Sequence, residues 1–248
     1  MNLRTLLFPL LCAVAVSANA AVATNTPTAR ETEGRELAKK LLEQSPSENS
    51  TITGVLQIRQ SRSKRTEIPM QFRIVVTDTN WQTIYETLPN TNGITEQFVV
   101  SHDRDNRRYQ LNGMTVADDL AAVPFAGSDF WLTDLGLEFL RWPSQKVLRK
   151  EIRRSRFCVV LESVRGADDS NASQQYSRVV SWIDNETDGI LHADAYDAKG
   201  KRIKEFEPKE FKKINGQWQL TEMRMDNLKT GSRSTLQFNL TIDDRPKP

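Results

Sequence analysis

The sequence predicts a mainly β fold, in which one strongly curved antiparallel sheet forms an incomplete β-barrel covered by two or more helices. Three observations lead to this prediction. Apolar residues recur with period two through most of the chain, turn signals separate these runs at short intervals, and only two segments have helical spacing. We expect about eleven strands, which is more than an open flat sheet usually carries without curling.

The clearest strand lies at residues 68–76. Its apolar side chains at alternate positions are Ile68, Met70, Phe72, Ile74 and Val76. Such an alternation is typical of an antiparallel strand with one buried face. We therefore expect Met70, Phe72, Ile74 and Val76 to share the concave face of the sheet, with Arg73 pointing to solvent.

Weaker alternations surround this strand. Leu56 and Ile58 alternate with polar residues before it, and a similar pattern occupies 236–242 near the end of the chain. The remaining strand candidates are residues 81–86, 95–101, 107–112, 146–153, 156–165, 176–184, 190–197, 201–214 and 217–226. The turn signals at 184–189, 197–200, 215–216 and 229–231 predict four hairpins, and hence a meander, in the last part of the chain.

Two segments have helical spacing. The first is 31–45, where Leu37, Leu41 and their neighbours form one apolar face and Pro46 ends the helix. The second lies within 124–143. There the side chains at helical spacing are Trp131, Leu135, Phe139 and Trp142, and Ser128 or Asp129 is the candidate cap. We expect this second helix to close over the concave face, with Thr133, Asp134 and Glu138 on its exposed side.

The N-terminus reads as an export signal. Residues 1–20 combine Arg4, a short apolar run and the small residues Ala18 and Ala20 of a cleavage site. A lipoprotein signal at Cys12 is rejected because the preceding residue is not small. We expect a signal peptide at 1–20, a flexible lead at 21–30 and a single β domain at 31–248. The exported protein would have no transmembrane segment, since its apolar runs are shorter than about 20 residues.

The sequence contains few of the residue patterns that nucleic-acid binding, metal binding or catalysis requires. The 34 basic and 32 acidic residues nearly balance, which gives no support for nucleic-acid binding. Cys158 lies in an apolar run and is interpreted as a small buried side chain. The two histidines, His102 and His192, lack partners at metal-ligand spacing, so neither a metal nor a cofactor is expected. Ser101–Asp103 lies along one strand and cannot assemble a triad. The acidic pairs at 118–119 and 168–169 are interpreted as solvated turns, so no enzymatic activity is expected.

A basic cluster occupies residues 149–156. One interpretation is a charged edge strand that resists aggregation. The other is a patch for anionic lipid head groups or an acidic partner protein. The sequence leaves both open, although the first is favoured.

The segment Phe125–Phe130, followed by Asp134 and Leu135, resembles the G-S-D-F…D-L signature of bacterial outer-membrane lipoprotein-sorting-like proteins, a LolA-like family. Further segments that resemble the family are 158–162, 176–184, 196–201 and 223–231. The resemblance runs from about Phe125 to Phe238.

This resemblance implies a periplasmic protein with a LolA/LolB-like fold, in which helices cover a hydrophobic cavity that binds acyl chains. The implied partners are lipoprotein acyl chains or other lipids, together with membrane-bound donor or acceptor proteins. The lid-contacting arginine of the carrier family is assigned to no residue of this chain.

Sequence and resemblance together predict a periplasmic, non-enzymatic carrier or chaperone. The predicted ligand-binding residues of its cavity and lid are Leu56, Ile58, Met70, Phe72, Ile74, Val76, Phe130, Trp131, Leu135, Phe139 and Trp142. The alternative is a periplasmic sensor or scaffold of the same fold that binds a partner protein. An open cavity would favour the carrier, and a filled interior would favour the scaffold.

Overall fold

The computed structural model describes residues 27–60, 64–89, 93, 95–102, 107–116, 122–166, 176–214 and 217–240. The predicted signal peptide, the lead up to residue 26 and the acidic pairs at 118–119 and 168–169 lie outside the described residues.

The described residues contain one antiparallel sheet of thirteen strands. The strands are β1 Ser50–Arg59, β2 Arg65–Val76, β3 Trp81–Thr87, β4 Gln97–His102, β5 Arg107–Leu111, β6 Met114–Val116, β7 Ser144–Arg153, β8 Arg156–Val164, β9 Arg178–Asp184, β10 Ile190–Tyr196, β11 Arg202–Ile214, β12 Gln217–Asn227 and β13 Arg233–Asn239. Their order in the sheet is β6-β5-β4-β3-β2-β1-β13-β12-β11-β10-β9-β8-β7.

This order consists of two meanders joined along one seam. Strands β1 to β6 form the first meander, strands β7 to β13 form the second, and β1 pairs with β13 in register from Thr53 opposite Asn239 to Arg59 opposite Arg233. Strands β6 and β7 lie at opposite edges of the sheet, which is therefore not closed. Since β7 follows β6 in the chain, their connection has to run from one edge to the other.

The prediction of a mainly β, curved, unclosed antiparallel sheet is confirmed, although thirteen strands form rather than about eleven. The strand that sequence reasoning missed is β6, which pairs with β5 through a turn at Asn112 and Gly113. Both turn residues have positive φ, 52° and 78°. Asn-Gly is the strongest short hairpin signal, so this turn was readable from the sequence.

Strand β2 contains the predicted alternation, and its faces differ in their neighbours. Met70 is buried, and Phe72 packs edge-on against Tyr85 with ring centroids 5.1 Å apart. On the other face, Arg73 pairs with Glu86 at 3.1 Å and is about one-third exposed. The assignment of Arg73 to the solvent face therefore agrees with its surroundings.

Helix α1 spans Ala29–Leu42 and begins within the predicted lead. Thr28 accepts from the backbone of Glu31, whose carboxylate accepts from the backbone of Thr28, which is a capping box. Gly34 faces the edge strand β7 so closely that a Cβ atom would lie 2.6 Å from the backbone nitrogen of Lys146. Helix α1 therefore covers part of this edge, and only glycine permits the approach.

The connection between β6 and β7 crosses the concave face. We call residues 122–143 the cover segment. It is not the continuous helix that the spacing predicted, because it consists of a 3₁₀ turn at Phe125–Gly127, a short helix α2 at Leu132–Leu135 and a 3₁₀ helix at Glu138–Arg141. Leu137 has φ of 51°, a left-handed conformation that interrupts any helix passing through it. The predicted caps Ser128 and Asp129 do not cap α2, which instead begins after Trp131.

The basic cluster lies on and beside the edge strand β7, and most of its charges are paired. Arg149 binds Glu151 at 2.7 Å, and Lys150 binds Glu33 of α1 at 2.8 Å. Arg156 lies 2.6 Å from the buried Asp184. This pairing favours the charged-edge interpretation. Cys158 is fully buried, as interpreted.

Candidate functional site

An apolar cavity of about 180 Å³ lies between the concave face of the sheet and the cover segment. Its lining residues are Tyr85, Phe130, Asp134, Leu135, Leu137, Phe139, Tyr176, Val179, Ile190, Ala193, Ala195, Lys204, Phe206, Met223 and Met225. Most of these side chains are apolar, and the polar ones are few and grouped.

The cavity lies where β10 presents small side chains and β11 and β12 present larger ones. Ala193 and Ala195 are both buried and line the floor, whereas Phe206 of the adjacent β11 and Met223 and Met225 of β12 contribute larger side chains to the wall. Protein interiors are normally packed without such voids, and an unfilled apolar cavity lowers stability. An apolar cavity of about 150 Å³ is known to hold benzene, so this one has room for a small apolar group.

The polar part of the wall centres on Lys204, which is 2% exposed. Its Nζ donates to the carbonyl oxygen of Asp129 at 2.6 Å and to Oδ2 of Asp134 at 3.2 Å. It also lies 3.4 Å from the centroid of the Trp131 ring, within cation–π range. A lysine of the sheet is thus attached to three residues of the cover segment.

Burial lowers the pKa of Lys204 to about 8, because the charged ammonium loses its hydration, and the nearby Asp134 carboxylate offsets only part of that effect. Burial also raises the pKa of Tyr176 well above its ordinary value, and the negative charge of Asp134 adds to that rise. Tyr176 therefore remains a neutral donor, and its hydroxyl donates to Oδ1 of Asp134 at 2.7 Å.

A second polar attachment lies at Asp129. Its carboxylate accepts from the hydroxyl groups of Ser232 at 2.6 Å and Ser234 at 2.8 Å, and its backbone nitrogen donates to Ser234 at 2.8 Å. Asp129 and Ser234 are both buried. The contact joins the cover segment to β13, which is the seam strand between the two meanders.

Each residue of the G-S-D-F motif, residues 127–130, has a structural role. Gly127 has φ of 67°, a conformation that favours glycine, and Ser128 accepts from the backbone of Phe130 at 3.1 Å. Asp129 makes the serine contacts, and Phe130 is 1% exposed and lines the cavity. Asp134, of the following D-L pair, accepts from Lys204. The motif therefore fixes the start of the cover segment to the sheet.

The second half of the cover segment is held by close packing. A Cβ atom on Gly136 would lie 2.6 Å from Cε1 of Tyr109. The Tyr109 hydroxyl donates to the carboxylate of Glu138. Glycine at position 136 therefore allows the Tyr109 ring to approach the backbone closely.

The predicted site residues fall into different surroundings. Those that line the cavity are Phe130, Leu135 and Phe139. Leu56, Ile58 and Met70 belong to the buried core beside it, and Phe72 packs against that core. Trp131 is half-buried and stacks on Tyr176 with ring centroids 4.7 Å apart.

The remaining predicted residues lie elsewhere. Val76 and Trp142 line an outer cleft, and Ile74 is half-buried on β2 and lines neither space. The predicted exposed side of the cover helix is wrong for two of its three residues. Thr133 is 4% exposed, and the Asp134 side chain is 10% exposed, because Asp134 faces the buried Lys204.

Sequence reasoning missed Lys204, Tyr176 and the two alanines of β10. Lys204 alternates with Phe206 on β11, so the pattern could have placed a lysine on the inward face. The small residues offered a weaker signal, since alanine is common in any buried strand.

Within the described part of the chain, no helix is long and apolar enough to span a membrane. In the same residues, no group of three or more histidine, cysteine or acidic side chains is arranged to hold a metal ion.

A family model described as that of an uncharacterized protein matches residues 115–245, which is more than half of the chain and includes the cover segment and the second meander. The chain belongs to the family that this model describes. No curated protein matches the chain.

Solved structures share the LolA-like fold. A putative outer membrane lipoprotein-sorting protein domain from Vibrio parahaemolyticus is 18% identical, with a TM-score of 0.67 over 88% of this chain and 95% of that chain. A DUF1329 family protein from Desulfovibrio piger ATCC 29098 is 20% identical, with a TM-score of 0.68 over 89% and 96%. A LolA superfamily protein from Nitrosomonas europaea is 15% identical, with a TM-score of 0.56 over 88% and 96%. At these identities the likeness establishes the fold.

Proposed function

We propose that the protein is a periplasmic, non-enzymatic carrier or chaperone that binds an acyl chain of a lipoprotein or another lipid in the apolar cavity. The observation that carries this proposal is a void lined by apolar side chains between the sheet and the cover segment. The fold of lipoprotein-sorting domains and the predicted export signal support the same assignment.

The energetics of chain burial suit a carrier. Each buried methylene group contributes roughly 0.8 kcal/mol, so a short stretch of chain in the cavity contributes several kcal/mol before ordering costs. In the observed conformation the cavity accommodates only such a stretch. A full-length acyl chain therefore requires the cover segment to move away from the floor formed by Ala193 and Ala195.

Such a movement would break both polar and apolar contacts of the cover segment. Its polar attachments at Lys204 and Asp129 are local, whereas Phe125, Phe130 and Leu132 are buried in a core that the segment shares with the sheet. The apolar contacts of a bound chain would offset the loss of that packing. Phe130, Leu135 and Phe139 would contact the bound chain, and movement of the segment would release it.

Mass spectrometry tests this proposal. The mature protein is purified from the periplasm without detergent, and lipids are extracted from the pure sample. The proposal expects a lipid species in near-stoichiometric amount, lost from a variant whose cavity is filled by Ala195→Leu. A wild-type protein that carries no lipid and takes none up from vesicles would contradict it.

One observation favours the alternative, a scaffold that binds a partner protein. Leu56 and Leu236 are fully buried and Met70 nearly so, which shows that the interior beside the cavity is filled. A scaffold would bind a protein at an outer surface and leave the cavity empty. If the protein is such a scaffold, lipid extraction should yield no lipid from the wild type or from Ala195→Leu.

A further inference from the structure

A second, open cleft of about 890 Å³ lies on the other side of the cover segment. Helix α1, the turn between β2 and β3, and the end of the cover segment form its walls. Its lining residues are Arg35, Ala38, Lys39, Leu42, Glu43, Ser45, Pro46, Val76, Thr77, Asp78, Thr79, Asn80, Trp81, His102, Leu140, Arg141, Trp142, Pro143 and Gln145. We call this space the outer cleft.

The 3₁₀ helix Glu138–Arg141 separates the outer cleft from the apolar cavity. Phe139 lines the cavity, whereas Leu140 and Arg141 line the outer cleft. The buried amide of Gln145 donates to the carbonyl oxygens of Phe139 at 2.9 Å and Trp142 at 3.0 Å, which fixes this wall. A molecule that occupied both spaces would have an apolar part beside Phe139 and a polar part beside Arg141.

Arg141 lines the outer cleft without a charged partner among the described residues. Its Nε is buried and has no hydrogen-bond partner, and no ion pair joins its guanidinium to any of those residues. The Nε of Arg73 is likewise unbonded, but Arg73 pairs with Glu86 through another nitrogen. Arg156, in contrast, binds the carboxylate of Asp184 with two of its nitrogens. Among the described residues, Arg141 is thus a forked donor with no carboxylate partner.

The described side chains around Arg141 leave the outer cleft with an excess of positive charge. The charged lining residues are Arg35, Lys39 and Arg141 against Glu43 and Asp78. Lys39 and Glu43 pair with each other at 3.7 Å. The indole of Trp81 stacks on His102 with ring centroids 3.5 Å apart, which gives the cleft a flat aromatic wall.

The geometry points to the outer cleft as the binding site for the anionic head group, a carboxylate or a phosphate, of an amphiphile whose alkyl chain enters the apolar cavity. This inference rests on the proposed lipid-carrier function and specifies its ligand class. A guanidinium donates two parallel hydrogen bonds to either head group, and such charge-assisted bonds are among the strongest in proteins. The 3₁₀ helix Glu138–Arg141 would shift to admit the chain, which would then lie beside Phe139 while Arg141 holds the head group.

Competition binding with matched ligands tests this inference. The full mature chain is titrated with a saturated fatty acid, the alkyl phosphate and the fatty alcohol of one chain length, and separately with inorganic phosphate. Both anionic amphiphiles are expected to bind the wild type about ten-fold more tightly than the alcohol. Arg141→Gln should remove that preference and leave alcohol binding unchanged. Lys199→Gln, which removes a positive charge from the exposed turn after β10, is the matched control and should keep the preference.

Each other result overturns the inference. Equal binding of alcohol and anions by the wild type would leave the lipid carrier intact and remove the anionic head-group site. Binding of none of the three alkyl ligands would contradict the carrier as well. Inorganic phosphate that binds as tightly as the alkyl phosphate, through Arg141, would indicate a site for a free anion. If Arg141→Gln does not fold, Arg141→Lys replaces it, and an unchanged preference without the forked donor would contradict the assigned role.

Discussion

Lys204 of β11 and Asp134 of the cover segment form a buried ion pair, with Nζ and Oδ2 3.2 Å apart although the residues are 70 positions apart in the chain. The ammonium also binds the carbonyl oxygen of Asp129, and the carboxylate also binds the hydroxyl of Tyr176. Both charged groups are largely buried, and each lowers the electrostatic cost of burying the other. The position of the cover segment over the cavity is therefore tied to the integrity of this pair.

We expect Lys204→Met to lower the free energy of unfolding by about 3 kcal/mol, because it leaves the Asp134 carboxylate buried without its cation. Asp134→Asn should also destabilise, since it leaves the ammonium without an anion. The double variant should lose less than the sum of the two, by at least about 1 kcal/mol. Urea unfolding of the four proteins measures this coupling. Additive losses would show that the two side chains do not stabilise each other and that each contributes only through its own packing.

The same lysine predicts a pH dependence. Its pKa is about 8 in the folded protein and 10.5 in its ordinary state, so the folded protein binds fewer protons between these values. The free energy of unfolding should therefore rise with pH across this window, by roughly 2 kcal/mol between pH 7 and pH 10 from this group. Lys204→Met should lack that rise. The difference in the free energy of unfolding between wild type and variant therefore separates the contribution of Lys204 from that of other titrating groups. A constant difference across the window would contradict the lowered pKa.

The serine contacts of Asp129 predict local opening of the cover segment. Asp129→Ala removes the acceptor of the Ser232 and Ser234 hydroxyls, so amide hydrogen exchange should quicken in residues 129–136. Exchange in the strands β8 to β10 should change little, since their core does not include Asp129. Asp78→Ala, at an exposed turn, is the matched control. Uniformly faster exchange throughout the sheet would mean that Asp129 supports the whole fold.

The sheet was predictable because its signals are local. The alternation along β2 and the turn residues after β9, β10 and β12 each specify structure within a few positions, and those hairpins form as predicted. The Asn112–Gly113 turn carried the same kind of signal.

The cover segment was not predictable as a helix because distant contacts decide its shape. Trp131 stacks on Tyr176, and Tyr109 occupies the space beside Gly136, although neither partner is near in sequence. The spacing of apolar residues correctly indicated burial but not the left-handed residue Leu137. The burial of Lys204 depends on Asp134, and no local pattern reveals such a partner. Of the predicted lining, only Phe130, Leu135 and Phe139 border the cavity.

The central claim is that the apolar cavity holds an acyl chain, and titration with a fluorescent fatty acid tests it most directly. Three proteins are compared: the wild type, Ala195→Leu, which fills the cavity from its floor, and Ala198→Leu, which adds the same groups at an exposed turn. Circular dichroism and thermal unfolding establish that all three are folded. The account predicts that the wild type and Ala198→Leu bind alike, whereas Ala195→Leu binds at least about ten-fold more weakly because the chain and the leucine compete for one volume. Equal binding by a folded Ala195→Leu would contradict the account.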